Sequence, residues 1–136
     1  MKIKLHHLNL CTTNVKAMDE FYKGILDLEP EPTMQGMRTT GGYDGKVSFV
    51  HDGVTQFHLA ERDLDCAFRN KQSLNPLEKG HIAFRTDDIA AFKKRLEAKG
   101  IPYADYGGFA INGWHQVFFQ DPDGNVIEVH QAPEGL

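Results

Sequence analysis

The sequence predicts an α+β fold, two βαβββ modules closing into one cupped mixed sheet. Two internal matches and a shared order of elements carry that prediction. HLNLCTTNVKAM, opening at His7, recurs as HIAFRTDDIAAF, opening at His81, with Thr12 on Thr86, Val15 on Ile89 and Ala17 on Ala91. Further along each half, VSFVHDGVTQFHL from Val47 matches VFFQDPDGNVIEV from Val117, a register that sets His58 on Glu128. Each half then reads strand, helix, three strands, the signature of a repeated supersecondary unit. The modules span about residues 1–62 and 79–132 of a single domain covering 1–136.

The elements follow in order. Residues 3–12 alternate, with Leu5, His7, Asn9 and Cys11 on one face and Leu8 and Leu10 on the other, the period of a strand. Asn14 suits the N-cap of a helix running to about Leu26, whose stripe is Val15, Met18, Phe21, Tyr22 and Ile25. Residues 28–40 hold a short strand and a loop, and Gly41, Gly42 and Gly45 mark a flexible turn. A hairpin over 46–51 and 54–60 turns at Asp52-Gly53. The polar stretch 61–79 links the halves. The order then repeats: a strand at 80–86, a helix from Ile89 to about Lys99 capped by Asp87 or Asp88, and a stop at Gly100 with Pro102 behind it. A short strand, the Gly107-Gly108 loop and a hairpin over 114–120 and 125–131 complete the half. Asp121-Pro122-Asp123-Gly124 is its turn, proline presetting φ and glycine accepting a positive φ.

Composition narrows the function. The chain of 136 residues carries a formal net charge of −4 without a long run of either sign, which argues against nucleic acid or an anionic membrane as the main partner. No stretch approaches the roughly 20 apolar residues of a membrane-spanning helix, and the opening MKIKLHHLNL has too short an apolar run for a secretory signal. Cys11 and Cys66 show no paired spacing, so reduced thiols in a cytoplasmic protein are the simplest expectation.

Strand alternation places the chemistry. Phe57 and Leu59 point away from His58, Ile82 and Phe84 from His81, and Ile127 and Val129 from Glu128. The apolar faces are expected under the helices and the other faces around a concave cleft open to substrate. His7, His81 and Glu128, with His58 as a candidate fourth, are therefore read as ligands of one divalent metal ion between the halves. Imidazole and carboxylate suit first-row cations, and a two-histidine, one-carboxylate set leaves positions open for substrate. Asn9, Gln56, Arg85, Trp114, Gln116 and Phe118 are candidate substrate contacts. Arg85 and Arg38 suit an anionic group. His6 is assigned to the apolar side or strand end and His130 to a supporting place behind Glu128. His51 and His115 are assigned to turns. Cys11 reads as a small packed residue rather than a nucleophile, since no partner base is evident.

These segments also resemble a known family. HHLNLCTTNVKAMDEFYKGILDLEP resembles the opening of vicinal oxygen chelate proteins, GHIAFRTDDIAAFKKRLEAKGI their third quarter, and FFQDPDGNVIEVHQ their closing hairpin, in which DPDG precedes a metal-ligand glutamate. The superfamily holds glyoxalases, bleomycin resistance proteins and extradiol dioxygenases. The resemblance implies paired βαβββ modules around one metal (Fe, Mn, Zn or Ni), with His7, His81 and Glu128 in the ligand positions and Glu128 as a catalytic proton carrier. It also implies a homodimer, in many members with sites shared between subunits. His58 stands where glyoxalase I enzymes carry a glutamate, a departure from that subclass. The implied activity is a glyoxalase-like lyase or isomerase acting on a small oxygenated substrate. The alternatives are an extradiol-type dioxygenase, a thiol transferase of the fosfomycin-resistance type, which the short chain end disfavours, and a non-catalytic drug-binding protein, which the retained ligand residues disfavour.

Overall fold

The computed structural model describes residues 1–136. Strand β1 (Ile3–Thr12) leads into α1 (Val15–Gly24), then β2 (Glu29–Pro30), β3 (Val47–His51) and β4 (Gln56–Glu61). After a short helix α2 (Cys66–Arg69), the series repeats as β5 (Gly80–Thr86), α3 (Ile89–Ala98), β6 (Ala104–Gly107), β7 (His115–Gln120) and β8 (Val126–Gln131). All eight strands form one mixed sheet in the order β2-β3-β4-β1-β5-β8-β7-β6. Read outward from the centre, each module runs first strand, fourth, third, second. β1 pairs in parallel with β4 and β5 in parallel with β8, while β1 and β5 pair antiparallel across the module boundary. An approximate two-fold therefore passes between β1 and β5.

The caps repeat with the strands. Asn14 accepts from the Ala17 N–H at 3.0 Å and Asp88 from the Ala91 N–H at 2.9 Å, each satisfying a donor in a first helical turn. The helices then differ. α3 buries Ile89, Phe92 and Leu96 against Val117 and Val129. α1 buries nothing: it ends at Gly24, and Phe21, Ile25 and Leu26 are exposed. The expected stripe is only half covered, and Ile82, on the outer face between the helices, is also exposed.

Two local irregularities correct the sequence-based register. In the β1–β5 ladder Leu5 faces Phe84 and His7 faces Ala83, so Leu5-His6-His7 contains a bulge. An extra residue in one strand re-aims the side chains around it, and His6 comes to the side of His7 rather than the apolar side. In the second module residues 121–125 lie between the last paired residues Gln120 and Val126, against 52–55 between His51 and Gln56. That extra residue makes Phe118, not Phe119, the counterpart of Phe49: Phe49 pairs with His58 and Phe118 with Glu128.

The concave face is not an open cleft. Tyr43, Ala60, Cys66, Leu77, Ala104, Tyr106 and Phe118 pack as one apolar cluster, and Met34, Phe49, Ile111, Trp114 and Ala132 as a second. Their loop residues come from the stretches the sequence patterns least. Residues 37–39 of the first module pair with 110–112 of the second. Arg38 bridges Ile111, the Thr39 N–H donates to Ala110 O at 2.9 Å, and the Asn112 N–H donates to Met37 O at 2.9 Å. This strap approaches closely at Gly42, where a Cβ would stand 2.1 Å from Phe109 O.

Candidate metal site

The central ladders place four ligand-type residues side by side. His7 lies opposite Ala83, whose other neighbour is Glu128. His81 lies opposite Asn9, whose other neighbour is His58. Gly80 makes the His81 position accessible: φ is +122° there, and a Cβ would stand 2.0 Å from Asn9 O. One chain thus gathers residues from both modules. All four are buried, Glu128 at 1% exposure and His7 at 2%.

Hydrogen-bond partners fix which ring nitrogens are free. His81 Nδ1 lies 2.9 Å from Pro76 O. A carbonyl only accepts, so Nδ1 carries a proton, and in the neutral ring Nε2 presents its lone pair. That Nε2 stands 3.1 Å from Glu128 Oε1. With a neutral ring, two lone pairs face each other there with no proton between them. Two donor atoms each about 2.1 Å from a shared cation, at roughly right angles, stand about 3 Å apart. The His81–Glu128 pair fits a cation on that spacing. His7 Nε2 stands 3.9 Å from the same Oε1, and the His7 and His81 ring centroids are 5.9 Å apart. His7 Nδ1 meets His6 Nδ1 at 2.8 Å. When His7 donates in that bond, its Nε2 is bare as well.

His130 offers a competing grouping. One ligand-type atom from each of His7, Glu128 and His130 lies within 4.8 Å of the other two. Yet both nitrogens of His130 are engaged. Arg85 Nε donates to its Nε2 at 3.0 Å, which puts the ring proton on Nδ1, and Nδ1 donates to Glu128 Oε2 at 2.6 Å. His130 has no lone pair left for a cation; it holds the carboxylate in place. Gln116 Nε2 donates to Oε1 at 3.3 Å while its own Oε1 accepts from the Ala110 N–H of the strap at 3.2 Å. His58 stacks on His7 at 3.7 Å between ring centroids, and its Nε2 donates to Gln56 Oε1 at 2.8 Å, so that nitrogen is committed away from Glu128.

The electrostatics agree with neutral rings around an ionised carboxylate. Burial holds the His7 and His58 pKa well below the ordinary value, and burial with Arg85 nearby pushes His6 down to about 3. Burial alone would raise Glu128, but His7, the His130 hydrogen bond and His81 outweigh it and hold the carboxyl well below its usual range.

The triad sits in the wall of a cavity of about 60 Å³ that also includes Asn9, Trp114, Gln116, Phe118 and Arg38. Two of the expected substrate contacts lie elsewhere. Gln56 faces His58, and Arg85 lies behind His130, buried, with Nη1 on Glu134 at 3.0 Å and its guanidinium 4.9 Å from the Trp114 ring. Arg85, expected at the substrate, is held instead by Glu134, a tail residue that no local sequence pattern announces. Cys11 is half-buried, and burial pushes its thiol up to about 12. His6 is the residue alternation alone misplaces, because a bulge leaves no sequence signal.

A sheet of paired βαβββ modules with buried imidazoles and a carboxylate at its centre defines the class, and the chain belongs to the Glyoxalase/Bleomycin resistance protein/Dioxygenase superfamily, whose profile matches residues 4–129. It is similar to Glyoxylase I 4 of Arabidopsis thaliana, 28% identical over 129 residues, with 92% of this chain and 68% of the relative covered. It is also similar to a lactoylglutathione lyase of Pseudomonas putida, 34% identical over 79 residues, with 57% of this chain and 44% of the relative covered. In fold it matches a hypothetical protein of Bacillus halodurans at a TM-score of 0.73 and 21% identity, covering 100% of this chain and 99% of that one.

Proposed function

We propose that this protein is a divalent-metal enzyme of the glyoxalase-like lyase or isomerase kind. Its substrate would be small and bound through vicinal oxygens. His7, His81 and Glu128 are the residues that would hold the ion (Fe, Mn, Zn or Ni). The observation that carries the reading is His81 Nε2 standing 3.1 Å from Glu128 Oε1 while Nδ1 is held by Pro76 O. When bound, a divalent ion polarises a substrate oxygen and acidifies the neighbouring C–H. Glu128, displaced from the ion, would take that proton and return it to the adjacent carbon, with His130 and Gln116 holding its two oxygens. The apolar wall excludes water from the exchange. The names of the two curated relatives, a glyoxylase I and a lactoylglutathione lyase, favour this reaction class.

The test is metal content after preparation without chelator, followed by turnover of a hemithioacetal with each of the four ions. Failure to bind any of them would reject the metal reading. A second reading, an extradiol-type dioxygenase, is supported by the donor set itself, since two histidines and one carboxylate are the set that Fe(II) oxygenases use. Oxygen uptake with catechols on the iron-loaded protein decides between the two. We further read the chain as a cytoplasmic homodimer. The free thiols support the compartment and the exposed Phe21, Ile25 and Leu26 support a partner surface; light scattering that returned only the single-chain mass would reject the dimer.

A further inference from the structure

Arg38 stands apart from the other charges near the cavity. Its backbone belongs to the strap, bridging Ile111, and its side chain forms part of the cavity wall with the triad. The rest of that wall is largely apolar, with Phe49, Leu77, Phe109 and Phe118 contributing. One terminal nitrogen, Nη2, donates to the Tyr43 carbonyl at 2.9 Å and the Gly45 carbonyl at 2.7 Å. The guanidinium carbon also lies 5.5 Å from the centre of the Tyr43 ring, but Nε and Nη1 have no protein acceptor and no carboxylate comes within ion-pairing reach. Arg85, the buried arginine nearby, is different: Glu134 answers its charge and it takes no part in the wall. Carbonyl dipoles do not cancel a guanidinium charge, and a partly desolvated cation in an apolar wall gains most from an anion that can accept from its fork of N–H groups.

From this we infer that Arg38 recognises an anionic group on the substrate, so that the substrate class is a compact carboxylate with a second oxygen on the adjacent carbon, as in 2-oxo and 2-hydroxy acids. The inference rests on the metal reading above, because it assigns the second oxygen to the ion.

The experiment compares pyruvate with pyruvamide, which match in shape and differ by one charge, by calorimetric titration into the Mn(II)-loaded protein. Metal content is measured first. Wild type is expected to bind pyruvate at least tenfold more tightly than pyruvamide. Arg38→Met should remove that preference by weakening pyruvate about tenfold or more, leaving pyruvamide within about twofold. Arg38→Lys, which keeps the charge but loses the carbonyl fork, should keep a preference for pyruvate. Unchanged pyruvate affinity in Arg38→Met overturns the inference. So does an equal loss of both ligands in both variants, which would make Arg38 only a staple for the 43–45 loop. If wild type takes up no metal, the metal reading fails by itself, and the same comparison in the metal-free protein still decides whether Arg38 selects the anion. No heat from either ligand in either form also overturns it.

Discussion

The two modules share one topology and divide the work unequally. In the second, α3 closes the outer face of the sheet over a buried cluster, and the inner face carries the carboxylate with the groups that aim it. In the first, α1 leaves its stripe half uncovered, and the inner face carries imidazoles whose burial keeps them neutral. The matched positions make the contrast sharpest: Glu128 accepts hydrogen bonds from two neighbours, whereas His58 donates one to Gln56. In this chain the second module alone supplies the carboxylate at the shared centre, and the first supplies an imidazole at the matched position.

The largest expected effect tests the outer faces. Phe92→Ala should cost about 3–5 kcal/mol, the usual range for a buried phenylalanine, since Phe92 is 7% exposed within the α3 cluster. Phe21→Ala, at 51% exposure on α1 in the single chain, should stay within about 1 kcal/mol at protein concentrations low enough to keep the chain monomeric. Urea unfolding of both variants reads the difference, and similar losses would erase the asymmetry.

The inner faces come next. Glu128→Gln should weaken divalent-ion binding by more than about a hundredfold, beyond the 10–100-fold typical of residues that only support a ligand, with the circular dichroism spectrum unchanged. His58→Gln, at the matched position, should change it by less than about tenfold. Metal affinity untouched by Glu128→Gln would remove Glu128 from the ligand set, and equal losses at both positions would restore His58 to it.

The first module's neutral rings predict a pH response of the metal-free protein. His7 and His58 are held well below their unfolded pKa, so the unfolded chain binds more protons as the pH falls below about 6.5. A depressed histidine pKa therefore costs stability on the acid side. Each ring contributes about 1.4 kcal/mol of loss between pH 7.5 and 5.5, so with His6, which burial also holds down, the three should lower the unfolding free energy by about 4 kcal/mol in chelator. Glu128 adds nothing in that window, because its own depressed pKa costs stability only lower down, as pH drops below the carboxylate range. A flat profile from pH 7.5 to 5.5 would show the rings charged in the folded state.

Periodicity and the internal repeat make most of the sheet legible in the sequence, because each strand's apolar residues fall on one side and each turn has its own residue chemistry. His7, His58, His81 and Glu128 share a face for that reason. What periodicity cannot carry is a change of count. The bulge at His6 and the longer hairpin at 121–125 each insert one residue; the first flips the faces of Leu5 and His6, and the second shifts which residues of the two modules correspond. The strap is illegible for another reason: residues 37–39 and 110–112 are far apart in sequence, and single-bridge pairing of loops leaves no repeat. Arg85 illustrates a third limit. Alternation puts it correctly on the inner face, but the choice between substrate and Glu134 is made by a tail residue that no local pattern announces.

The smallest effect concerns how the second module aims its carboxylate. Glu134, Arg85, His130 and Glu128 form one line of hydrogen bonds, at 3.0, 3.0 and 2.6 Å. Arg85 fixes the His130 tautomer, and that tautomer gives Glu128 Oε2 its donor, leaving Oε1 for the site. His130→Phe keeps the ring that stacks on Trp114 at 3.9 Å but removes both nitrogens. It should lower metal affinity about tenfold, the low end for a supporting residue, with the number of bound ions unchanged. His130→Gln, which can still donate to Oε2, should recover part of the loss. An ion released altogether by His130→Phe would instead make His130 a ligand and would replace His81 in the set. A result with no change would mean that Gln116 alone suffices to hold Glu128, and that the line running to the tail serves packing rather than the site.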